Sequence, residues 1–400
     1  MRILYFADIR FPLERANGIQ TMETCDALAG RGHTVHLIVR PDTQAPARDP
    51  FDFYGIPPRE RLIVEHAPVA GPAIPPLARR LGYLAFAAGR AAGAGRADVI
   101  MTRDLTVASL LLRLPGRSPL VYESHGYAPD VAAALPHMLS TATPPRASKL
   151  ARLARREAYV WRRADGYVTI PAGLAAELAR RFGDRERVAV VPDGARVAES
   201  CAPHRAGTTP ITVGYAGHLY AWKGVDVLLD ALATLPDVRA VIVGGHEKEP
   251  DLERLRARAA RLAIDGRVTF TGQVPPASVR EHLAGADVLV LPNPASAIST
   301  SATSPLKLFE YMAAGRAIVA TDLPAIREVL THDVNGILVM PGDAAALAAG
   351  IRRLEEDPAL RDRLATAARA SVAEYSWSRR AERLDALFTD VVNAKGPAGR

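Results

Sequence analysis

The chain has 400 residues, of which about half are apolar and 23% are charged, and its net charge is +7. This composition argues against wholesale disorder, and the length predicts two domains that each bury a core. No apolar run approaches the roughly 20 residues that span a bilayer, and Cys25 and Cys201 are too few for a disulfide scaffold. The cytoplasm is therefore the expected compartment.

The first half of the chain alternates short apolar runs with segments of helical spacing. This alternation is typical of βαβ units, in which a parallel sheet carries helices on both faces. We expect Gly18 to open a helix that ends near residue 29, after the first strand. A glycine there lets backbone approach a ligand, although Asn17-Gly18 is equally explained as a turn. The predicted strands are residues 3–7, 35–39, 62–65, 99–101, 120–122, 166–170 and 188–191.

His125 follows the strand at 120–122, in the sequence Glu123-Ser124-His125-Gly126. Ligands of open α/β sheets bind at the carboxyl ends of strands, so His125 is a candidate functional residue. A structural role explains a lone histidine as well.

The net positive charge of the chain arises entirely from this half, since residues 1–195 carry 26 Lys+Arg and 19 Asp+Glu. It is densest at residues 146–163, a predicted basic helix. Such a helix binds anionic lipid or an acidic acceptor, or is simply solvated in an Arg-rich protein. The inner surface of a membrane is thus a candidate for peripheral contact. Nucleic acid is not expected, because no recognised motif accompanies the charge.

Residues 193–210 contain several glycines and prolines, and we interpret them as a linker. A second α/β domain follows, and residues 344–393 are predicted to be helical with breaks at Pro358 and near Tyr375. The domain boundaries are therefore 1–195 and 210–374, with a last helix at 375–393. The predicted strands of the second domain are residues 211–215, 238–243, 268–270, 288–291, 317–320 and 337–339.

Two loops of the second domain carry lysines, although the protein has only 5 Lys against 45 Arg. Residues 217–224 read Gly-His-Leu-Tyr-Ala-Trp-Lys-Gly and place Lys223 where a helix begins, so an anion could meet both its ammonium and free N–H groups. The alternative is chance placement.

Residues 304–315 form the second loop and helix. Ser304 suits the N-cap and Pro305 the first helical position, and Gly315 ends the helix. Lys307 and Glu310 lie three apart on one face, where the cation suits a phosphate and the carboxylate suits a sugar diol. The alternative is an ordinary surface Lys–Glu pair.

These motifs resemble glycosyltransferase family 4, the retaining nucleotide-sugar transferases with two Rossmann-like domains, often called GT-B. The most specific match is Ser-Pro-Leu-Lys-Leu-Phe-Glu-Tyr-Met-Ala-Ala-Gly at 304–315, continued by Asn335-Gly336 and Pro341-Gly342-Asp343. The resemblance covers nearly all of the second half and is looser in the first.

The resemblance implies that the first domain binds the acceptor, the second binds the donor, and the donor's diphosphate lies in a central cleft. The residues from Tyr375 would begin a helix that packs back on the first domain. Glu310 would bind the ribose. Catalytic roles would fall to His125, Lys223 and Lys307. The donor-binding residues would be Gly18, Gly217, His218, Lys223, Val274, Ser304, Pro305, Leu306, Lys307 and Glu310.

Two departures from the family pattern matter. Ala302 occupies the position of the usual first glutamate, and His218 lies where the family often has arginine. The first weakens any assignment of a carboxylate to the donor sugar, and the second supplies a weaker, pH-dependent phosphate partner.

The predicted function is retaining, hexosyltransferase-like sugar transfer to a glycan, lipid-linked or small-molecule acceptor, as in polysaccharide biosynthesis. Because no Asp-x-Asp motif stands in a suitable loop, we expect no metal and no cofactor beyond the nucleotide-diphosphate sugar co-substrate. The alternatives are a sugar-nucleotide epimerase of the same fold, a nucleotide-sugar-binding pseudoenzyme or a scaffold protein.

Overall fold

The computed structural model describes residues 1–68, 75–93, 97–138, 143–198, 210–245, 250–295 and 306–396. The chain divides into two compact units. Unit 1 comprises Met1–Ala133, Pro144–Asp193 and Trp377–Arg400, and unit 2 comprises Ala134–Thr143 and Gly194–Ser376. Most of the predicted linker, residues 199–209, lies outside the described residues, as do Ala302, Ser304 and Pro305.

Unit 1 is built on a parallel sheet of seven strands in the order β3-β2-β1-β4-β5-β6-β7. Its central strands are short apolar runs because helices cover both faces of the sheet. Strands β4, β5 and β6, for example, are buried along their whole length. The strands are β1 Arg2–Arg10, β2 Thr34–Arg40, β3 Leu62–His66, β4 Val99–Thr102, β5 Leu120–Ser124, β6 Gly166–Thr169 and β7 Val188–Val190.

The C-terminal helix belongs to unit 1, although it follows unit 2 in sequence. It packs beside the first helix, and Leu384, Phe388 and Val391 share a core with Ile3 and other residues of the sheet. The helices of the first half of the chain are α1 Ala16–Gly30, α2 Pro50–Tyr54, α3 Pro76–Ala92, α4 Leu105–Leu111, α5 Ala128–Met138, α6 Ala147–Arg163 and α7 Ala172–Phe182.

Unit 2 contains a second parallel sheet, of six strands in the order β10-β9-β8-β11-β12-β13. Its strands are β8 Thr212–Ala216, β9 Arg239–Val243, β10 Val268–Gly272, β11 Val288–Leu291, β12 Ala317–Thr321 and β13 Ile337–Val339. The remaining helices are α8 Val225–Ala233, α9 Pro250–Arg261, α10 Pro276–Ala284, α11 Leu306–Ala314, α12 Pro324–Arg327, α13 Ala344–Glu356, α14 Pro358–Ser371 and α15 Trp377–Lys395.

The α/β prediction is confirmed, since each of the thirteen predicted strands overlaps a strand of the structure. The C-terminal helical segment is interrupted at Asp357 and again before Trp377, near the predicted breaks. One helix start was wrong: α1 begins at Ala16, so Gly18 lies inside its first turn and donates its N–H to the Arg15 carbonyl at 2.8 Å.

Within the described residues, no helix combines the length and apolar character needed to cross a membrane.

Candidate functional site

In unit 2, the loop after β8 meets helix α11 at Gly217 and Lys307. Gly217 has φ +139°, and a Cβ built there would lie 1.7 Å from the Lys307 Nζ atom. Only glycine therefore allows the lysine side chain to lie across the carboxyl end of β8. The loop and the helix, 90 residues apart, form one site.

Two tyrosines hold this junction together. Lys307 Nζ donates to the Tyr215 hydroxyl at 3.0 Å, and that hydroxyl donates to the His218 carbonyl at 2.6 Å. The Tyr311 hydroxyl, from α11, accepts the Ala216 N–H at 2.8 Å. Tyr215 and Tyr311 are at most 1% exposed, so buried side chains orient the lysine and the loop.

Lys223 lies at the other end of the same loop. It ends a 3-10 turn, Ala221–Lys223, and the α-helix α8 begins two residues later at Val225. Its Nζ atom lies 3.6 Å from the centroid of the Trp222 ring. Burial lowers the pKa of Lys223 to about 7.

The two ammonium groups and Glu310 interact electrostatically. Burial and then the neighbouring Lys223 lower the pKa of Lys307 well below its usual value, against the opposing effect of Glu310. Burial raises the pKa of Glu310 to about 7, against the effects of Lys307 and Arg280. In the part of the chain that the structure describes, neither lysine forms an ion pair with a carboxylate. The structure thus brings together the two lysines, Glu310 and Gly217, and Lys307 and Glu310 are not a simple surface ion pair.

The structure also describes three other predicted donor-binding residues of unit 2, His218, Leu306 and Val274. The His218 ring stacks on Tyr220, with 5.1 Å between centroids and 10° between planes. Leu306 is the first described residue of α11 and is 7% exposed, and the partly buried Val274 packs against the apolar cluster that contains Leu308. None of these contacts assigns a ligand to them.

The packing around Gly18 leaves no room for a side chain. A Cβ there would lie 2.3 Å from the Leu13 carbonyl oxygen and 2.3 Å from the Tyr54 hydroxyl. The Tyr54 hydroxyl also donates to that carbonyl and accepts the Leu13 N–H. The absence of a side chain at Gly18 is therefore explained by the packing of α1 on the preceding loop.

His125 lies at the carboxyl end of β5, where the sequence placed it, and is paired with a buried carboxylate. Its Nε2 atom is 2.5 Å from Glu123 Oε1. Burial and then Arg103 lower the pKa of His125 to about 4, while Glu123 acts in the opposite direction. The histidine is therefore neutral at pH 7.

Sequence reasoning missed the network around Glu123. Gln20 Nε2 donates to Glu123 Oε1 at 2.6 Å, Arg103 donates to Gln20 Oε1 at 2.6 Å, and Arg380 of α15 donates to Glu123 Oε2. The available signal was the charged Glu123 one residue beyond an apolar strand. Gln20 and Arg380 lie 103 and 257 residues from Glu123, and Arg103 lies 83 residues from Gln20, so no local pattern indicates these bonds.

Among the described residues, no group of three His, Cys, Asp or Glu side chains is arranged to hold a metal ion. The charged groups that influence one another in unit 2 include the two lysines and Glu310.

Comparison with known proteins identifies the class to which this arrangement belongs. A sucrose-phosphate synthase from Thermosynechococcus elongatus superposes with a TM-score of 0.77 at 21% identity, over 98% of this chain and 99% of that structure. The Anabaena protein HepE, solved with UDP and glucose, gives a TM-score of 0.73 at 20% identity, over 97% and 99%. The fold is thus the GT-B fold.

Two family models match adjoining parts of the sequence. Residues 18–199 match Glycosyltransferase Family 4, and residues 198–371 match Glycosyl transferases group 1. A phosphatidyl-myo-inositol mannosyltransferase of Mycobacterium tuberculosis is 39% identical over 180 residues, which is 43% of this chain and 45% of that relative. The match thus spans less than half of that relative. The chain thus carries a Glycosyltransferase Family 4 domain at residues 18–199 and a group 1 glycosyltransferase domain at residues 198–371.

Proposed function

We propose that this protein transfers a sugar from a nucleotide-diphosphate sugar to a glycan, lipid-linked or small-molecule acceptor, with retention of anomeric configuration. Two observations carry the proposal: Lys307 packs on Gly217 and is influenced by the charge of Lys223, and neither lysine has a carboxylate ion-pair partner among the described residues. Two partly buried cations in one place favour an anionic ligand that neutralises both. A diphosphate has this chemistry.

The proposed mechanism relies on electrostatic stabilisation. Glycosyl transfer places positive charge on the anomeric carbon and negative charge on the departing diphosphate. Fixed cations near that diphosphate stabilise the transition state more than the ground state, in which less charge has developed. Lys223 and Lys307 would supply this stabilisation, and the leaving phosphate would assist the acceptor hydroxyl as base on the same face of the sugar.

The other residues have proposed roles in binding. Glu310 would accept hydrogen bonds from the ribose hydroxyls, and His125 would lie near the transferred sugar. Gly18, His218, Val274 and the start of α11, including Ser304, Pro305 and Leu306, remain proposed donor contacts.

No metal or further cofactor is proposed. Added EDTA should therefore leave the rate unchanged, and a rate restored only by Mg²⁺ or Mn²⁺ would contradict this.

Donor binding and transfer are tested in two steps. A thermal-shift screen with UDP-glucose, UDP-galactose, UDP-N-acetylglucosamine and GDP-mannose should find a ligand that raises Tm, because binding to the native state alone stabilises by about 2.7 kcal/mol at 100 times Kd. Acceptor-dependent release of the nucleotide from that ligand should follow. Release of nucleotide without any acceptor, together with an epimerised sugar, would favour an epimerase. Binding without turnover would favour a pseudoenzyme.

We further propose that unit 1 contacts an anionic membrane surface, where a lipid-linked acceptor would be found. Helices α3, α4 and α6 line a groove of about 440 Å³. Arg113, Arg152, Arg155 and Arg156 line it, and none of them forms an ion pair with a carboxylate of the described chain. Burial and then Arg152 lower the pKa of Arg156. Such a cluster of like charges suits phosphate groups.

Apolar side chains continue from this groove along α3. Leu84 lines the groove, and Leu77 and Leu81, on the same helical face, are 69% and 58% exposed. Arginines beside exposed leucines are typical of helices that lie in the interfacial region of a bilayer.

Vesicle sedimentation tests the membrane proposal. The protein should bind vesicles containing phosphatidylglycerol and not vesicles of phosphatidylcholine alone. Replacing Arg152, Arg155 and Arg156 with Gln should weaken binding about 100-fold, at about 1 kcal/mol for each charge. The control replaces Arg256, Arg261 and Arg352 of unit 2 with Gln, which changes the net charge equally. Equal binding by both triple variants would contradict a specific role for α6.

A further inference from the structure

Both oxygens of the fully buried Glu123 carboxylate are used, and only one of its partners reaches the surface. Oε1 receives the Gln20 amide and the His125 ring, and Oε2 receives Arg380. Of these three partners, Gln20 and Arg380 are at most 2% exposed, whereas the His125 side chain is 25% exposed. Among the three side chains bonded directly to Glu123, the accessible one is therefore the His125 ring.

The bond to Glu123 determines the tautomer of His125. An ionised carboxylate can only accept, so the Nε2 atom must carry the proton. Although burial raises the pKa of Glu123, the charge of Arg380 and the hydrogen bond from His125 lower it below its usual value. With Glu123 ionised and the ring neutral, Nδ1 has a free lone pair and acts as an acceptor.

Arg380, on the C-terminal helix, binds the Glu123 carboxylate and makes three further hydrogen bonds. Its Nε donates to Thr24 Oγ1 at 2.9 Å, and its NH1 donates to the carbonyls of Val191 at 2.8 Å and Pro192 at 2.9 Å. The arginine thus connects β5, α1 and the end of β7 within unit 1. Because three further hydrogen bonds hold the guanidinium in place, it is a fixed partner for the Glu123 carboxylate.

We propose that Glu123 is a positioning residue that holds His125 as the Nε2–H tautomer, so that Nδ1 accepts a hydrogen bond from a hydroxyl of the transferred sugar or the acceptor. This inference rests on the proposed sugar transfer and on the place of His125 near the sugar. It goes beyond them by assigning a donor-acceptor direction to the ring and a role to the buried Glu123.

A double-mutant cycle tests the coupling, using Glu123→Gln, His125→Ala and the double variant. The assay measures nucleotide release with acceptor, using whichever of UDP-glucose and GDP-mannose raises Tm. We expect Glu123→Gln to lower kcat about 10- to 100-fold, as loss of an orienting partner does elsewhere. In the His125→Ala background the same change should have less than a twofold effect, because no ring remains to be oriented.

The matched control is Glu157→Gln, which alters another fully buried carboxylate of unit 1. Glu157 accepts from the Tyr167 hydroxyl at 2.7 Å and has no bond to His125. The Glu157→Gln variant should be less stable than the wild-type protein and should keep its kcat at temperatures where it is folded. A similar fall in kcat for Glu157→Gln and Glu123→Gln would overturn the proposal in favour of a merely structural network.

A second measurement needs no variant. In ¹⁵N spectra of the wild-type protein, the His125 ring should show a protonated Nε2 and an unprotonated Nδ1 at pH 7. A protonated Nδ1 would overturn the proposal, as would additive effects in the cycle or a normal rate for His125→Ala. Failure of the proposed function looks different, since the wild-type protein would then release no nucleotide with any acceptor.

Discussion

Lys307 in unit 2 and Arg380 in unit 1 are both cations near the carboxyl edge of a parallel sheet, but their surroundings differ. Arg380 meets Glu123, Asp193 and three further acceptors inside unit 1. Lys307 donates to one neutral hydroxyl, and the charged groups that shift its pKa are Lys223 and Glu310.

We propose that Arg380 contributes to the stability of the fold and that Lys307 binds a ligand. A buried cation with all its partners present contributes to a stable native structure, whereas removing one partner leaves an uncompensated charge. A cation without an anionic partner costs stability until an anion arrives. On the proposed function, the site in unit 2 would therefore receive an anion, whereas Arg380 in unit 1 already has anionic partners.

The largest expected effect is on stability, at Arg380. Arg380→Met should lower the free energy of unfolding by about 3–5 kcal/mol, because Glu123 would remain buried without its cation. Urea unfolding followed by tryptophan fluorescence measures the change. Arg361→Met is the matched control: that arginine is also 2% exposed, but within the described residues its guanidinium makes one hydrogen bond, to the Leu354 carbonyl at 3.2 Å. Equal losses for both variants would contradict the comparison.

The opposite result is expected at Lys307. Lys307→Met keeps most of the side-chain volume and removes the charge, so turnover should fall about 10²–10³-fold, as for loss of one transition-state contact. The Tm without ligand should not fall, because a partly buried ammonium group has been removed. Lys395→Met, on the surface of α15, should leave both turnover and Tm nearly unchanged. Unchanged turnover in Lys307→Met would remove this lysine from the site.

A substitution at Gly217 tests the position of the Lys307 ammonium, and its expected effect on activity is smaller. Gly217→Ala should displace the Lys307 ammonium, because the added Cβ would overlap its Nζ, and we expect a loss of roughly tenfold or more in kcat/KM, or above 1.4 kcal/mol. Gly342→Ala is the control, since Gly342 also has a positive φ, +77°, but no atom lies within 4 Å of its Cβ position. If both variants lose activity equally, backbone strain alone is responsible.

These residues also show what sequence can and cannot predict. The strands were recognisable because a parallel strand covered on both faces is a short apolar run, as in β12, where residues 317–321 are all buried. The start of α1 was missed because Arg15, which makes no side-chain capping bond, occupies the N-cap. The motifs located Lys223, Lys307 and Glu310, but their convergence depends on Tyr215 and Gly217, whose distances to α11 have no local signature.

The smallest expected effect is the pH dependence of donor affinity, with UDP-glucose as the probe. Lys223 has a pKa of about 7 in the free protein. A bound diphosphate favours the protonated amine and raises that pKa, so the contribution of Lys223 to the Kd should be constant below pH 7 and should raise the Kd by up to tenfold per pH unit above it, until the pH reaches the pKa of the complex. Glu310, with a pKa of about 7, acts in the other direction by losing its charge at lower pH.

Two variants separate these contributions in isothermal titration calorimetry between pH 6 and pH 9. Lys223→Arg should remove most of the rise in Kd above pH 7, because a guanidinium stays charged throughout this range. Glu310→Gln should weaken binding at neutral pH and keep the rise above pH 7. If the wild-type Kd does not change between pH 7 and pH 9, the Lys223 ammonium makes no contact with the diphosphate, and the anion site would consist of Lys307 and backbone donors alone.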